Sequence, residues 1–143
     1  MSLELNEQLF QNLKRLVNRI EKDIKRKLAN SPLGDLSLAE ISIIDAIGLN
    51  GEKTIKEIAE QLDVALSTPT KTMDRLVAKG YIIRETSADD RRMVVSRLTE
   101  RGNKAVLQIS QARQSNILQY LNKLTEVELK QLNNIVRHIL TTD

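Results

Sequence analysis

The stretch between Thr54 and Gly102 constrains the fold most, because its residue pattern changes from helical to extended and back to helical. Apolar side chains recur every three or four residues in its first half, which predicts helices. Two runs rich in β-branched residues follow, YIIRETS (81–87) and MVVSRLT (93–99), and the polar residues ADDRR join them. Runs of this kind around a polar turn predict a β-hairpin with a charged tip.

The helical part of this stretch predicts a pair of short helices. Thr54, with Glu57 three residues later, has the spacing of a capping box and begins the first helix. The segment DVALS (63–67) turns the chain, and the second helix runs to Lys79. Ala59 is small where the helices of such a pair cross closely. Two helices followed by a basic-tipped hairpin are the layout of a winged helix-turn-helix.

Long amphipathic helices are predicted at both ends of the chain. Residues 4–29 carry apolar side chains at steps of three and four, and a similar pattern follows Thr99 over residues 100–122. A last helix begins at a capping box formed by Thr125 and Glu128. It is predicted to bury Leu129, Leu132, Ile135, Val136, Ile139 and Leu140. These segments hold more apolar surface than the central part needs, which predicts a symmetric dimer built from the terminal helices.

The remaining helix is predicted from a capping box at Ser37 and Glu40 to about Gly48. The predicted fold class is therefore mainly α with a small β-wing. A length of 143 residues corresponds to about one domain. Within residues 1–143, the winged helix-turn-helix is predicted at 37–99 and the helical dimerisation region at 1–30 and 100–143.

Composition argues against several classes of function. The chain has no cysteine, which excludes disulfides, thiolate metal sites and thiol-based redox sensing. His138 is its single imidazole and there is no Gly-rich phosphate loop, so neither an enzyme nor a metal or cofactor site is expected. Apolar runs fall short of the roughly 20 residues of a membrane span, and the N-terminus lacks the order of a signal peptide. A cytoplasmic protein without a membrane partner is expected.

The second helix of the pair begins with a polar turn that faces away from its apolar stripe. Short hydroxyls and cations there suit base edges and phosphates in a DNA major groove, but such residues also cap helices on solvated surfaces. The candidate residues are Ser67, Thr68, Thr70, Lys71 and Arg75. Pro69 disfavours helical geometry at Thr68, so the helix is predicted to start with Thr68 as its cap and Pro69 in first position.

The charged hairpin tip favours DNA over a merely solvated surface. Asp90 and Arg92 are spaced i to i+2, so the carboxylate can hold the guanidinium in one orientation. An Arg held in this way on a thin loop can enter a narrow, A·T-rich minor groove. Arg91 and Arg97 are candidates for phosphate contacts nearby. The alternative is an exposed turn whose ion pair has little energetic value.

A winged helix can also serve contact with another protein. A module of that kind would expose an apolar patch on its second helix, whereas Met73, Leu76 and Val77 are predicted to lie in the core. The net charge of +3 is too small to decide between the two by itself. The hydroxyl-rich turn and the Arg at the wing tip favour DNA.

The segment 55–102 resembles the core of MarR-type transcription regulators. The shared motifs are the DRLVAKGYI-like helix end, the Asp90-x-Arg92 wing tip and the LTERG start of the next helix. The resemblance extends to the whole chain in length and helix order. It implies a homodimeric repressor on double-stranded DNA, with each recognition helix in a major groove and each Arg92 in a minor groove of an A·T-rich pseudo-palindrome.

Within that family, three segments look most like the FabT-type repressors of fatty-acid synthesis genes: IIDAIG (43–48), the Ser/Thr-rich turn at 67–72 and KGYI (79–82). This similarity implies control by an apolar ligand, namely long-chain acyl groups on acyl carrier protein. The basic face of the first helix would then meet the acidic carrier protein through Arg19, Lys22 and Arg26. The alternative for these cations is a solvated helix face.

Overall fold

The computed structural model describes residues 2–142. Over these residues the elements follow in the order α1 (Leu3–Ala29), α2 (Leu38–Ile47), β1 (Glu52–Lys53), α3 (Ile55–Leu62), α4 (Thr68–Ala78), β2 (Ile82–Thr86), β3 (Val94–Leu98), α5 (Glu100–Leu121) and α6 (Glu126–Thr141). The predicted fold class, mainly α with a small β-wing, is confirmed. The chain divides into two compact units, one of Lys25–Ala112 and one of Met1–Ile24 with Arg113–Asp143.

The strands form one antiparallel sheet in the order β1–β3–β2. β2 and β3 are the predicted hairpin, in which Ile82 lies opposite Leu98. β1 was not predicted from the sequence; its Glu52 lies opposite Arg97 of β3. A strand of two residues is too short to show the alternation by which strands are recognised.

The core of the Lys25–Ala112 unit is formed by α2, α3, α4, the sheet and the first half of α5. Ala59, the small residue of α3, is 4% exposed. The largest side chains buried almost completely in this unit are Ile43, Ile44, Ile58, Met73, Leu76, Tyr81, Ile82 and Ile109. Each such side chain contributes about 1.5–3 kcal/mol relative to its exposed state. This core holds the helix pair and the hairpin against each other.

The exposure of Val77 contradicts one prediction about the core. It was expected to be buried with Met73 and Leu76, but it is 42% exposed. A helix turns by about 100° per residue, so the position after a fully buried Leu76 points along the edge of the apolar stripe.

The helix caps follow the sequence pattern, although the capping boxes form to different degrees. The box of α6 is complete: Thr125 Oγ1 accepts from the Glu128 N–H at 3.2 Å, and Glu128 Oε2 accepts from the Thr125 N–H at 2.8 Å. Ser37 accepts from the Glu40 N–H at 3.2 Å, but the Glu40 carboxylate bonds to Lys79 instead of returning to the cap. The ion pair with Lys79 therefore takes the place of the bond from the Glu40 carboxylate to the Ser37 N–H.

The α6 helix leaves its apolar face exposed. No described residue of α6 is buried, so the prediction that it buries six apolar side chains is wrong for the single chain. Leu132 is 38% and Leu140 is 77% exposed. The apolar residues of α1 between positions 3 and 17 are also exposed. None of the helices within residues 2–142 is both long and apolar enough to cross a membrane.

The start of α5 is joined to the end of α4 through the LTERG segment. The Thr99 hydroxyl donates to the Gly80 carbonyl at 2.6 Å and accepts from the Gly102 N–H at 3.1 Å, so Thr99 caps α5 as expected. The Arg101 guanidinium lies 4.3 Å from the centre of the Tyr81 ring, in a cation–π contact. Arg101 also donates to the backbone carbonyl that precedes Gly80.

Gly102 is required by close approach. A Cβ at this position would collide with the Tyr81 carbonyl oxygen and lie 3.0 Å from the Leu98 Cβ. Backbone and a buried side chain cannot move away cheaply, so a side chain at position 102 would push α5 from the sheet.

We expect Gly102→Ala to lower the free energy of unfolding by about 2–3 kcal/mol, because overpacking here is not relieved by a flexible side chain. Urea denaturation followed by circular dichroism at fixed protein concentration measures the change. Ser110→Ala, on the exposed face of the same helix, is the matched control and should change the stability little. Equal stability of Gly102→Ala and the parent would contradict the close-approach argument.

Candidate nucleic-acid interface

The exposed face of α4 carries the hydroxyls and cations that the sequence singled out. Ser67, Thr68, Thr70, Lys71 and Arg75 are all exposed. The opposite face is buried through Pro69, Thr72, Met73 and Leu76. Helical spacing therefore separates a polar stripe from the stripe that packs on the core.

The start of α4 differs by one residue from the prediction. The helix begins at Thr68, and Ser67 occupies the cap position without a side-chain cap hydrogen bond. The assignment of Thr68 as the cap is therefore wrong. The Thr68 N–H donates to the Ala65 carbonyl at 3.0 Å, and this tight turn starts the winding earlier. Pro69 fits the first turn because amides there have no partner within the helix.

Arg75 is held along its own helix. Its Nη2 donates to Thr72 Oγ1 at 3.3 Å, and Thr72 is only 6% exposed. This contact leaves most donors of the guanidinium available while restricting its direction.

Asp74 and Arg84 belong to the same surface and were not identified from the sequence. Arg84 Nη2 donates to Asp74 Oδ1 at 2.7 Å. Asp74 lies four residues after Thr70, so helical spacing could have assigned it to the exposed face. Arg84 lies on β2 and reaches α4 only through the tertiary fold, so no local signal could have revealed the pair.

The end of α4 is fixed by a reversal of the chain and by an ion pair to a buried carboxylate. The Tyr81 N–H donates to the Leu76 carbonyl at 2.9 Å, and Gly80 has the left-handed φ of 81° that this reversal requires. Lys79 Nζ lies 2.7 Å from Glu40 Oε2 and also donates to the Asp35 carbonyl at 2.6 Å. Glu40 is 3% exposed, whereas the Lys79 side chain is 30% exposed, so only the carboxylate side of the pair is shielded from solvent.

Tyr81 makes a further contact with Asp35, to which Lys79 also bonds. Its hydroxyl donates to Asp35 Oδ1 at 3.2 Å. Burial, followed by the charge of Asp35, raises the pKa of Tyr81 above its usual value of 10.0. The raised pKa extends the range in which the hydroxyl is protonated and donates to Asp35 toward more alkaline pH.

The wing tip brings Asp90 and Arg92 together. The Arg92 N–H donates to Asp90 Oδ1 at 3.0 Å, and Arg92 Nε lies 3.5 Å from the same oxygen. The Asp90 carbonyl accepts from the Met93 N–H at 3.0 Å, which closes the turn. The Arg92 side chain is 94% exposed. Arg91, its neighbour on the tip, is also exposed.

Arg97 is committed to the sheet. Its guanidinium lies 3.0 Å from carboxylate oxygens of both Glu52 and Glu85. The hydrogen bond to Glu52 is the main reason that its pKa is raised. With two carboxylates beside it, Arg97 is less suited to a phosphate contact than Arg91 or Arg92.

The remaining residues singled out from the sequence lie on α1 and α6. Arg19, Lys22 and Arg26 are exposed on α1, and His138 is exposed on α6. Within residues 2–142, no group of His, Cys, Asp and Glu side chains is arranged to hold a metal ion.

Comparison with known proteins identifies one matching family and several similar proteins. Residues 34–93 match the model of the MarR family. The chain is 32% identical over 131 residues to the multiple antibiotic resistance protein MarR of Salmonella typhimurium, which covers 90% of each protein. It is 31% identical over 97 residues to the transcriptional repressor MdtR of Bacillus subtilis, which covers 68% of this chain and 63% of MdtR.

A similar fold occurs in the crystal structure of Streptococcus pneumoniae FabT in complex with DNA. The TM-score is 0.83 at 24% identity, and the match covers 94% of each chain. At this identity the likeness concerns the fold.

Proposed function

Because this chain belongs to the MarR family of DNA-binding transcription regulators, we propose that it acts as a homodimeric repressor that reads DNA in two grooves. The relative MdtR is named a transcriptional repressor, which supports a regulator over an enzyme. In this proposal α4 is the recognition helix and the β2–β3 hairpin is the wing. Genomic DNA as the target agrees with the cytoplasmic location expected from the sequence.

The major-groove part of the proposal rests on the exposed stripe of α4. Thr70 and Lys71 lie in the first helical turn, where side chains of a recognition helix reach base edges and phosphates. Arg75 follows one turn later, and Ser67 and Thr68 lie at the helix start. Asp90 contributes by orienting the wing, not by direct readout.

One observation carries the proposal: Arg92 is almost fully exposed at the wing tip, yet Asp90 holds its backbone and side chain. A surface ion pair of this kind adds little to fold stability. A guanidinium presented on a thin loop fits the negative potential of a narrow, A·T-rich minor groove. Arg91 would contact a phosphate beside it, and Arg97 is the weakest candidate because Glu52 and Glu85 occupy its guanidinium.

Dimerisation through the terminal helices is supported by their exposed apolar faces. α6 has no buried residue, and Phe10 of α1 is 58% exposed. Contiguous apolar surface of this kind is covered in stable proteins by a partner. A second copy is the simplest partner, and two-fold symmetry then requires a pseudo-palindromic site.

The most specific part of the proposal is that an acylated carrier protein is the effector. Arg19, Lys22 and Arg26 are exposed on α1 and could meet an acidic carrier protein. A cavity of about 320 Å³ lies among Leu28, Leu33, Leu36 and Ile41, at the end of α1 and the start of α2. Its apolar lining suits an acyl chain or another small apolar ligand. A ligand that favours one spacing of the two recognition helices would change DNA affinity.

Selection of genomic fragments by the purified protein tests the two-groove function. We expect A·T-rich pseudo-palindromes with half-sites about 10 bp apart. Arg92→Ala should weaken binding to them by about ten- to hundredfold and lose the preference for A·T over G·C pairs beneath the wing. Lys71→Ala should weaken binding to all duplexes alike and reduce the salt slope of binding by about 0.9.

Lys104→Ala removes an exposed cation from α5 and is the matched control for both substitutions. Parent-like binding by Arg92→Ala would contradict the wing assignment. Salt-sensitive binding without sequence preference would instead favour a winged helix used for protein contact.

Sedimentation equilibrium tests the dimer. We expect a dimer at micromolar concentration for the parent and a monomer for the double variant Ile135→Lys/Ile139→Lys, because each Lys would bury a charge in the interface. Ile135 and Ile139 are 56% and 66% exposed in the single chain. Leu49→Lys is the control, since Leu49 is exposed in the other unit. A monomeric parent would overturn the proposed assembly.

Binding of a long-chain acyl carrier protein tests the effector. Arg19→Ala/Lys22→Ala should weaken this binding by about fivefold and make it less salt-dependent. The carrier without an acyl group should bind less tightly, and Lys130→Ala on α6 is the control. If the acylated carrier leaves operator affinity unchanged, the acyl-carrier proposal fails while the DNA-binding proposal stands.

A further inference from the structure

The ion pair between Asp74 of α4 and Arg84 of β2 has no part in the two-groove function as described so far. The bonded atoms are 2.7 Å apart, and the side chains of Arg84 and Asp74 are 36% and 60% exposed. Pairs with this exposure contribute little to the stability of a fold. The position of the pair is therefore more informative than its contribution to stability.

Asp74 lies on the helix face proposed to enter the major groove. It follows Thr70 by four residues and Lys71 by three, which places the three side chains on one face. A carboxylate on this face is repelled by DNA phosphates. By charge alone, Asp74 should therefore weaken binding to any DNA.

Arg84 lies on the arm of the hairpin that leads to the wing tip. It is on the same face of β2 as the buried Ile82, two residues earlier, and lies opposite Ser96 of β3. The strands β2 and β3 continue from this point to the turn that presents Arg92. The ion pair thus ties the recognition helix to the arm that carries the minor-groove side chain.

We propose that Asp74 and Arg84 are positioning residues, whose ion pair holds the wing at a set angle to α4 so that both grooves are engaged together. This inference rests on the proposed two-groove function. Two linked contacts reinforce each other only when their separation matches the DNA, and a preorganised separation avoids the entropy lost on ordering. An arm that pivots on α4 loses part of the contribution of Arg92.

Asp74→Asn tests the proposal because charge and position predict opposite results. Loss of a negative charge from the DNA-facing surface would tighten binding, whereas loss of the tie to Arg84 weakens binding to the selected operator by about three- to tenfold. Glu100→Gln, which removes an exposed carboxylate from an ion pair on α5, is the matched control and should bind no more weakly than the parent. An unchanged thermal unfolding midpoint excludes loss of the fold as the cause.

A double-mutant cycle separates positioning from a general structural role. Arg92→Ala should weaken operator binding less in the Asp74→Asn background than in the parent, because the untied wing no longer delivers Arg92 accurately. Additive effects of the two substitutions would overturn the proposal.

The exchange Asp74→Arg/Arg84→Asp gives an independent test. It restores an ion pair between α4 and β2, so it should recover affinity and coupling to Arg92 relative to Asp74→Asn. If Arg84 instead contacts a phosphate itself, Arg84→Gln lowers the salt slope by the ~0.9 that one phosphate contact contributes. In that case the exchange Asp74→Arg/Arg84→Asp does not recover affinity. That result, or tighter binding by Asp74→Asn, refutes positioning while specific binding by the parent keeps the proposed function intact.

Discussion

The short segment from Lys79 to Tyr81 is the junction on which the exposed surface of α4 and the hairpin depends. The α4 helix ends there in a left-handed Gly80, and the chain reverses directly into β2. The Tyr81 carbonyl accepts from the Thr99 N–H at 3.0 Å, so the start of α5 is bonded to the same point. Lys79 ties the junction to α2 through the buried Glu40 carboxylate. The helix α4, the β2–β3 hairpin and the long helix α5 therefore meet at one junction.

This common junction brings two exposed polar features together in a short chain. The polar stripe of α4 and the guanidinium of Arg92 come from adjacent elements, not from separate domains. The buried Ser96 and Val95 of β3 restrain the hairpin as far as the level of Glu85. The bond between Asp74 and Arg84 adds a direct link between this part of the hairpin and α4.

The terminal helices show that the single chain leaves part of its apolar surface uncovered. α6 is well formed and has a complete capping box, so its local sequence is sufficient for a helix. Its apolar stripe nevertheless remains exposed, as the 77% exposure of Leu140 illustrates. The amphipathic pattern specifies an apolar face, but it does not specify whether that face is buried within the single chain.

What the sequence by itself determined is local. The caps of α2, α3 and α6 and the pairing of Asp90 with Arg92 depend on neighbours within a few residues, and they are present as expected. The cap of α4 is the exception, because Ser67 takes the position expected for Thr68. Features that join distant segments were decided only by the tertiary structure. The strand β1, the double pairing of Arg97 and the tie between Asp74 and Arg84 each depend on a register or an approach that no periodicity encodes. Local patterns specify which elements form, whereas packing specifies which side chains meet and therefore which charges remain exposed.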